Sequence, residues 1–181
     1  MNTKERAKKI SLLILDVDGV LTNGQLIFSD QGEAMKVFNT QDGLGISAAN
    51  QAGLKTAIIT GRETEMVRRR GAELNITHVY QGAKDKLQAY RELLHNYSLL
   101  PEQVAYIGDD INDLSVMTRV GLACAVANAV EDVKKRAHVI TTRQGGQGAV
   151  REVIELILMA QGKWDSIVEA YLQPGEQDFR Q

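Results

Sequence analysis

The chain has 181 residues, 44% of them apolar and 24% charged, with a formal net charge of -2. That balance excludes a disordered or fibrous chain, and the lack of a basic excess argues against a nucleic-acid partner. Cys124 is the only cysteine, so neither an intramolecular disulfide framework nor a cysteine-rich zinc site can form.

Residues 1–9 are basic, and the apolar run behind them stops at Asp16, too soon for a signal-peptide core or a membrane span. A soluble, cytoplasmic protein with no membrane partner is therefore expected. The length favours a single domain over residues 1–181. Short apolar runs at 12–15, 56–59, 104–107, 123–126 and 139–140 read as buried strands. Segments with helical spacing, at 45–51, 63–74, 84–97, 112–120, 131–137 and 149–161, alternate with them. The alternation predicts an α/β fold, a doubly wound parallel sheet with helices on both faces. Between the first two runs, residues 25–28 and 34–38 read as short strands joined by Ser29, Asp30, Gln31 and Gly32, which predicts a protruding β-hairpin. Residues 173–181 are polar, contain a Pro-Gly pair and read as a mobile tail.

Open parallel sheets bind ligands beyond the carboxyl ends of their strands, so the residues after each apolar run carry the functional information. The first run exits into Asp16-Val17-Asp18-Gly19, two carboxylates and a glycine turn whose amides suit a phosphate; capping of a turn is the alternative role. The second exits into Thr60-Gly61-Arg62, offering a hydroxyl, a pliable backbone and a guanidinium. Lys86 opens the helix after Gln81-Gly82-Ala83 and could set an ammonium on a phosphoryl oxygen, although Lys84 is a rival. The fourth exit, Gly108-Asp109-Asp110-Ile111-Asn112-Asp113, gathers acids that repel one another unless a cation neutralises them, and magnesium suits such oxygens. Helix capping by Asp110 and Asp113 is the competing reading. All four exits fall on one edge of one sheet, which makes coincidence a poor explanation.

With these segments the sequence resembles the haloacid dehalogenase superfamily of phosphotransferases. The resemblance implies that Asp16 is the nucleophile of a phosphoaspartate mechanism and that Asp18 protonates the leaving alcohol and then activates water. It also implies Mg2+ held by the Asp16 carboxylate, the Asp18 backbone carbonyl and Asp109, with Asp113 nearby, directly or through water. Thr60 and Lys86 would neutralise the transferring phosphoryl group, with Gly19, Gly61 and Arg62 against the substrate.

The gaps between these motifs leave no room for a cap domain, so either the substrate is large or another chain closes the pocket. Residues 16–26, 42–45, 106–110, 145–152 and 160–163 read like the 3-deoxy-D-manno-octulosonate 8-phosphate phosphatase family. That resemblance implies a small anionic sugar-phosphate substrate, a place in lipopolysaccharide sugar biosynthesis, and a homotetramer in which the hairpin of one subunit covers its neighbour's site. Gly145, Gly146 and Gly148 precede a helix, where free amides favour an anion such as the sugar-acid carboxylate; a plain connection is the alternative. Arg180 in the tail is a further candidate for substrate contact.

Rival readings exist for several of these segments. A phosphatase for nine-carbon sialic-type acid 9-phosphates shares the 2-keto-3-deoxy carboxylate head. A phosphoacceptor receiver domain uses similar residues, but it places its acid pair before its Thr and Lys, whereas Thr60 and Lys86 precede Asp109. A non-catalytic homologue is opposed by the complete motif set. The relaxed dinucleotide pattern from Gly43 to Ala48 follows a hairpin strand instead of opening a βαβ unit, with Asp42 read as a helix N-cap. Arg68, Arg69 and Arg70 lie among acids and read as a solvated face or subunit contact. His78, His95, His138 and Cys124 lack ligand spacing and read as structural.

Overall fold

In the computed structural model, residues 1–172 are described. The order is α1 (Thr3–Lys8), β1 (Leu12–Leu15), β2 (Ile27–Ser29), β3 (Gly32–Met35), α2 (Thr40–Gln51), β4 (Lys55–Ile59), α3 (Glu65–Glu73), β5 (His78–Tyr80), α4 (Lys86–Tyr97), β6 (Val104–Gly108), α5 (Leu114–Met117), β7 (Leu122–Ala125), α6 (Glu131–Lys134), β8 (Val139–Ile140), α7 (Ala149–Ala160) and α8 (Trp164–Leu172). The tail at 173–181, including Arg180, lies outside the described residues.

Six strands pair in the order β5-β4-β1-β6-β7-β8, and every pair is parallel. β1, β6 and β7 are buried along their whole length, as unbroken apolar strands must be when helices cover both faces. The chain winds outward from β1 through β4 to β5, returns to the centre at β6, and winds outward again on the other side. Right-handed crossovers then put the helices of the two halves on opposite faces. Accordingly α7 packs with α1 and α2, while α4 packs with α5. Between β1 and β6 the winding reverses, and there a crevice opens at the carboxyl ends. No cap domain is present among the described residues.

The doubly wound sheet and the hairpin are as expected, with local differences. β5 adds a strand that the apolar runs do not reveal, because His78, Val79 and Tyr80 are only half-buried. The helix expected over 112–120 divides into a 3₁₀ turn, Ile111–Asp113, and the short α5. α1 was not expected; its start is set by a capping box between Asn2 and Glu5. α8 was not expected either. The hairpin strands are shorter than predicted and leave Ile27, Phe28 and Met35 exposed.

Asn39, not Asp42, caps α2: its side-chain oxygen accepts from the amides of Gln41 at 2.8 Å and Asp42 at 3.4 Å. Asp42, one turn on, is buried and accepts from the Arg151 amide at 2.8 Å, so an acid of α2 caps α7. Burial nonetheless raises its carboxyl above the usual range, against the backbone donors of Arg151, Gly148 and Val150. The two helices come close because Gly45 has no side chain; a Cβ there would sit 2.9 Å from Arg151 Cδ.

Candidate active site

Asp16 is the first residue after β1, and its amide still donates to Ile107 O at 3.2 Å, which fixes its carboxylate over the crevice. The turn behind it closes on Thr22, whose hydroxyl accepts from the Gly24 amide at 3.2 Å and donates to Val17 O at 3.3 Å. Gly19 has φ of 92°, and a Cβ there would collide with the Asp109 carboxylate. Only glycine meets both demands. Thr60 follows β4 and is tied by its amide to Tyr80 O at 2.9 Å, an anchor that β5 supplies.

Lys86 is the first residue of α4, whose start is capped by the Asp85 side chain accepting from the Leu87 amide at 2.9 Å. Its side chain is thereby turned inward, while Lys84 stays exposed. The Lys86 ammonium lies 2.8 Å from Asp16 Oδ1, 2.7 Å from Asp113 Oδ1 and 3.3 Å from the Tyr106 hydroxyl. Asp113 Oδ1 also accepts from Tyr106 at 2.6 Å, and Asp113 Oδ2 accepts from the amides of Asp109 at 2.9 Å and Asp110 at 3.2 Å. Four donors fill the acceptor directions of that carboxylate. Asp110 is exposed and caps the following 3₁₀ turn through the Ile111 amide at 2.7 Å.

Burial, then repulsion from Asp113, pushes the Asp16 carboxyl up to about 7 despite Lys86. Burial and the charges of Asp16, Asp113 and Asp110 push Asp109 up to about 8. Burial alone would lower the Lys86 ammonium, but Asp16 and Asp113 outweigh it and raise the group above its ordinary value. One lysine thus faces three carboxylates whose ligand atoms lie within 4.8 Å of one another. That shortage of positive charge among hard oxygen donors fits a divalent cation such as Mg2+. Asp16 and Asp109 are its best-placed carboxylates, since the Asp113 oxygens already have donors.

Across the crevice stands a second group of charges. Lys36, just past β3, ion-pairs with Asp18 Oδ1 and lies 2.6 Å from Glu33 Oε1. Arg62 lies 2.9 Å from Glu33 Oε2 and 3.9 Å from Asp18 Oδ2. Burial works to raise Glu33, but hydrogen bonds from Lys36 and Arg62 prevail and hold its carboxyl below the usual range.

Asp16, Asp18, Thr60, Gly61, Arg62 and Asp109 line one cleft of about 260 Å³, together with Gly24, Leu26, Asp110 and Asn112. A larger groove, about 650 Å³, lies at the opposite, amino-terminal edge of the sheet; among the described residues its charged side chains are Lys8, Lys9 and Lys163.

Gly145, Gly146 and Gly148 are not among the residues that line this cleft, and the amides of the first two are engaged within the chain. The Gly145 amide donates to Asn128 Oδ1 at 2.9 Å and the Gly146 amide to Val20 O at 2.9 Å, while Asp42 answers the start of α7. A Cβ on Gly145 would overlap the Gly19 carbonyl, and one on Gly146 would lie 2.6 Å from the Asn23 amide. The loop therefore buttresses the turn after Asp16.

Sequence reasoning missed Tyr106, Glu33 and Lys36. Tyr106 carried a signal, because a phenol inside an apolar strand needs a partner for its hydroxyl. The hairpin charges carried none, since alternating charged residues are what any exposed strand shows. His138 and Cys124 have structural places: His138 Nδ1 accepts from the Ala123 amide at 2.9 Å, and burial within β7 pushes the Cys124 thiol up to about 12.

A haloacid dehalogenase-like hydrolase family model matches residues 73–154. The 3-deoxy-D-manno-octulosonate 8-phosphate phosphatase of Yersinia pestis is 51% identical over 159 residues, 88% of this chain and 85% of that protein. A crystal structure of the Moraxella catarrhalis phosphatase of the same name, in complex with magnesium, phosphate and KDO, superposes with TM-score 0.90 at 44% identity, covering 93% of this chain and 97% of that one. The cobalt-bound Haemophilus influenzae enzyme superposes with TM-score 0.89 at 39% identity, covering 93% and 99%.

Proposed function

Because the chain belongs to the haloacid dehalogenase-like hydrolases and, within them, to the 3-deoxy-D-manno-octulosonate 8-phosphate phosphatases, we propose that it is a Mg2+-dependent phosphomonoesterase acting on that sugar-acid phosphate. The products are the free sugar acid and phosphate, and the reaction belongs to lipopolysaccharide sugar biosynthesis in the cytoplasm. The observation that carries this reading is the Lys86 bridge from Asp16 to Asp113 beside Asp109, a buried nucleophile held against its own charge.

In the first displacement an Asp16 oxygen bonds to phosphorus as the ester P–O bond breaks, and Asp18 gives its proton to the departing alkoxide. In the second, Asp18 takes a proton from water as the water oxygen bonds to phosphorus and the Asp16–phosphorus bond breaks. Lys86 and Thr60 face the equatorial oxygens, and fixed charges of this kind supply most of phosphoryl-transfer catalysis. Gly61 lets the substrate approach the backbone, Gly19 shapes the turn that carries Asp18 against it, and Arg62 suits an anionic group on it. Bound by the Asp16 and Asp109 carboxylates and the Asp18 carbonyl, Mg2+ supplies charge neutralisation between nucleophile and substrate. Asp113 acts on that set by holding Lys86 and the 109–110 amides.

The whole chain is taken as one such domain, its hairpin a device for assembly. Phe28, Met35 and Val37 are 61%, 51% and 57% exposed, an apolar face that a further subunit would cover. A homotetramer in which each hairpin shields a neighbour's open cleft is the arrangement this favours. Phosphate release with and without EDTA, on a panel holding the eight-carbon 8-phosphate and a nine-carbon sialic-type 9-phosphate, tests the reading. Preference for the eight-carbon ester supports it; equal rates remove the substrate assignment, and no metal-dependent release removes the mechanism.

A further inference from the structure

We propose that Lys36, carried by the hairpin of the same chain, is a positioning residue for Asp18: it fixes the carboxyl that handles the leaving-group proton. This rests on the phosphatase reading above and concerns how its acid/base group is held.

The hairpin is otherwise an exposed element, yet the Lys36 side chain is only 1% exposed. A lysine normally keeps its ammonium in water on a flexible stem, and burying it is unfavourable unless acceptors surround it. Here the acceptors are Asp18 and Glu33, and Glu33 is in turn held by Arg62. Arg62 Nε also reaches within 3.9 Å of Asp18 Oδ2. With Asp18 in the ionised form that takes the proton from water, the four side chains form a closed ring of alternating charge, Asp18, Lys36, Glu33 and Arg62, and each oxygen of Asp18 faces a different cation.

Asp18 sits in a turn beyond the end of β1, where no strand neighbour fixes it. Its carboxyl must meet the ester oxygen in one displacement and a water in the next, and misplacement by about 1 Å is enough to slow such transfers about 10²-fold. Lys36 supplies the restraint that the turn lacks. Because Lys36 directly follows β3, the seat of the hairpin and the seat of Asp18 are one mechanical unit, and whatever orders the hairpin orders the proton donor.

The test uses the full-length protein with Mg2+ and two esters in single-turnover mode: an alkyl phosphomonoester, whose leaving oxygen needs a proton, and p-nitrophenyl phosphate, whose leaving anion is stable without one. Lys36→Met is expected to slow alkyl ester cleavage about 10²-fold while the first-turnover burst of p-nitrophenolate stays within about threefold. Equal losses on both esters, or no loss on either, overturn the proposal. Should the Met variant fail to fold by circular dichroism, Glu33→Gln, which frees the other side of Lys36, is expected to show the same split at about tenfold, and its absence is equally decisive. An unmodified protein that cleaves neither ester would instead sink the phosphatase reading, a result distinct from an active enzyme with no split.

Discussion

The inner wall of the cleft, Asp16, Lys86, Tyr106 and Asp113, is almost sealed from water, whereas the outer wall, carried by a turn, a hairpin and the loop after β4, covers its Lys36 and Glu33 side chains but leaves Asp18 and Arg62 partly in solvent. Both walls alternate acid and base, but they are held by different forces. The inner groups issue from strands and a helix start whose backbones are locked into the sheet, so their charges are forced together and the carboxyls of Asp16 and the neighbouring Asp109 are driven far from their ordinary range. The outer groups are brought together by their own ion pairs, and those of the half-exposed Arg62 are weak individually. Stability and chemistry are therefore coupled on the inner wall and largely separable on the outer one.

Asp16→Asn should show the greatest effect. Turnover is expected to fall about 10⁴-fold or more with circular dichroism unchanged, since the amide matches the carboxylate in size and removes a charge that the folded state resists. Retained turnover would end the nucleophile assignment. Lys86→Met should lose about 10²-fold to 10³-fold in kcat and about 3 kcal/mol of stability, because it strands buried acids. A variant that is inactive but melts normally would break the coupling claimed for this wall.

Proton linkage gives an intermediate effect. With Asp16 at about 7 and Asp109 at about 8 against an ordinary 3.8, the metal-free folded protein holds more protons than the unfolded chain between pH of about 4 and 8. Its stability should accordingly fall as pH rises through that window. Mg2+ requires both groups ionised, so the gain in melting temperature on adding it should be larger at pH 8 than at pH 6. Melting curves with EDTA or Mg2+ across this range decide the matter, and a metal-free protein that gains stability toward pH 8 contradicts it. Phe28→Asp on the hairpin should have the smallest effect on the fold, leaving melting within about 0.5 kcal/mol while lowering the mass seen by light scattering; an unchanged mass removes the hairpin from the interface.

The inner wall was legible in sequence because each of its acids and its lysine follows an apolar run or a glycine turn, and parallel sheets align such exits. Even there two points needed three dimensions. The choice between Lys84 and Lys86 depended on Asp85 capping α4, and Tyr106 looked like core until its hydroxyl met Asp113. The outer wall was illegible: Glu33 and Lys36 sit at hairpin spacing where solvent-facing charges are ordinary, and nothing local says that one of them folds back onto Asp18. The glycine loop was ambiguous for the opposite reason. Glycines ahead of a helix also serve close packing, and only the contact of Gly145 with Gly19 tells the two uses apart.

The pairing of β1 with both β4 and β6 bears on how the chain is made. During synthesis β1 leaves the ribosome long before β6, so one side of the central strand stays unpartnered until residues around Val104 emerge. Joining Leu12 to Val104 closes a long loop late, which predicts slow folding and a nascent chain that depends on holdase chaperones until the second half arrives.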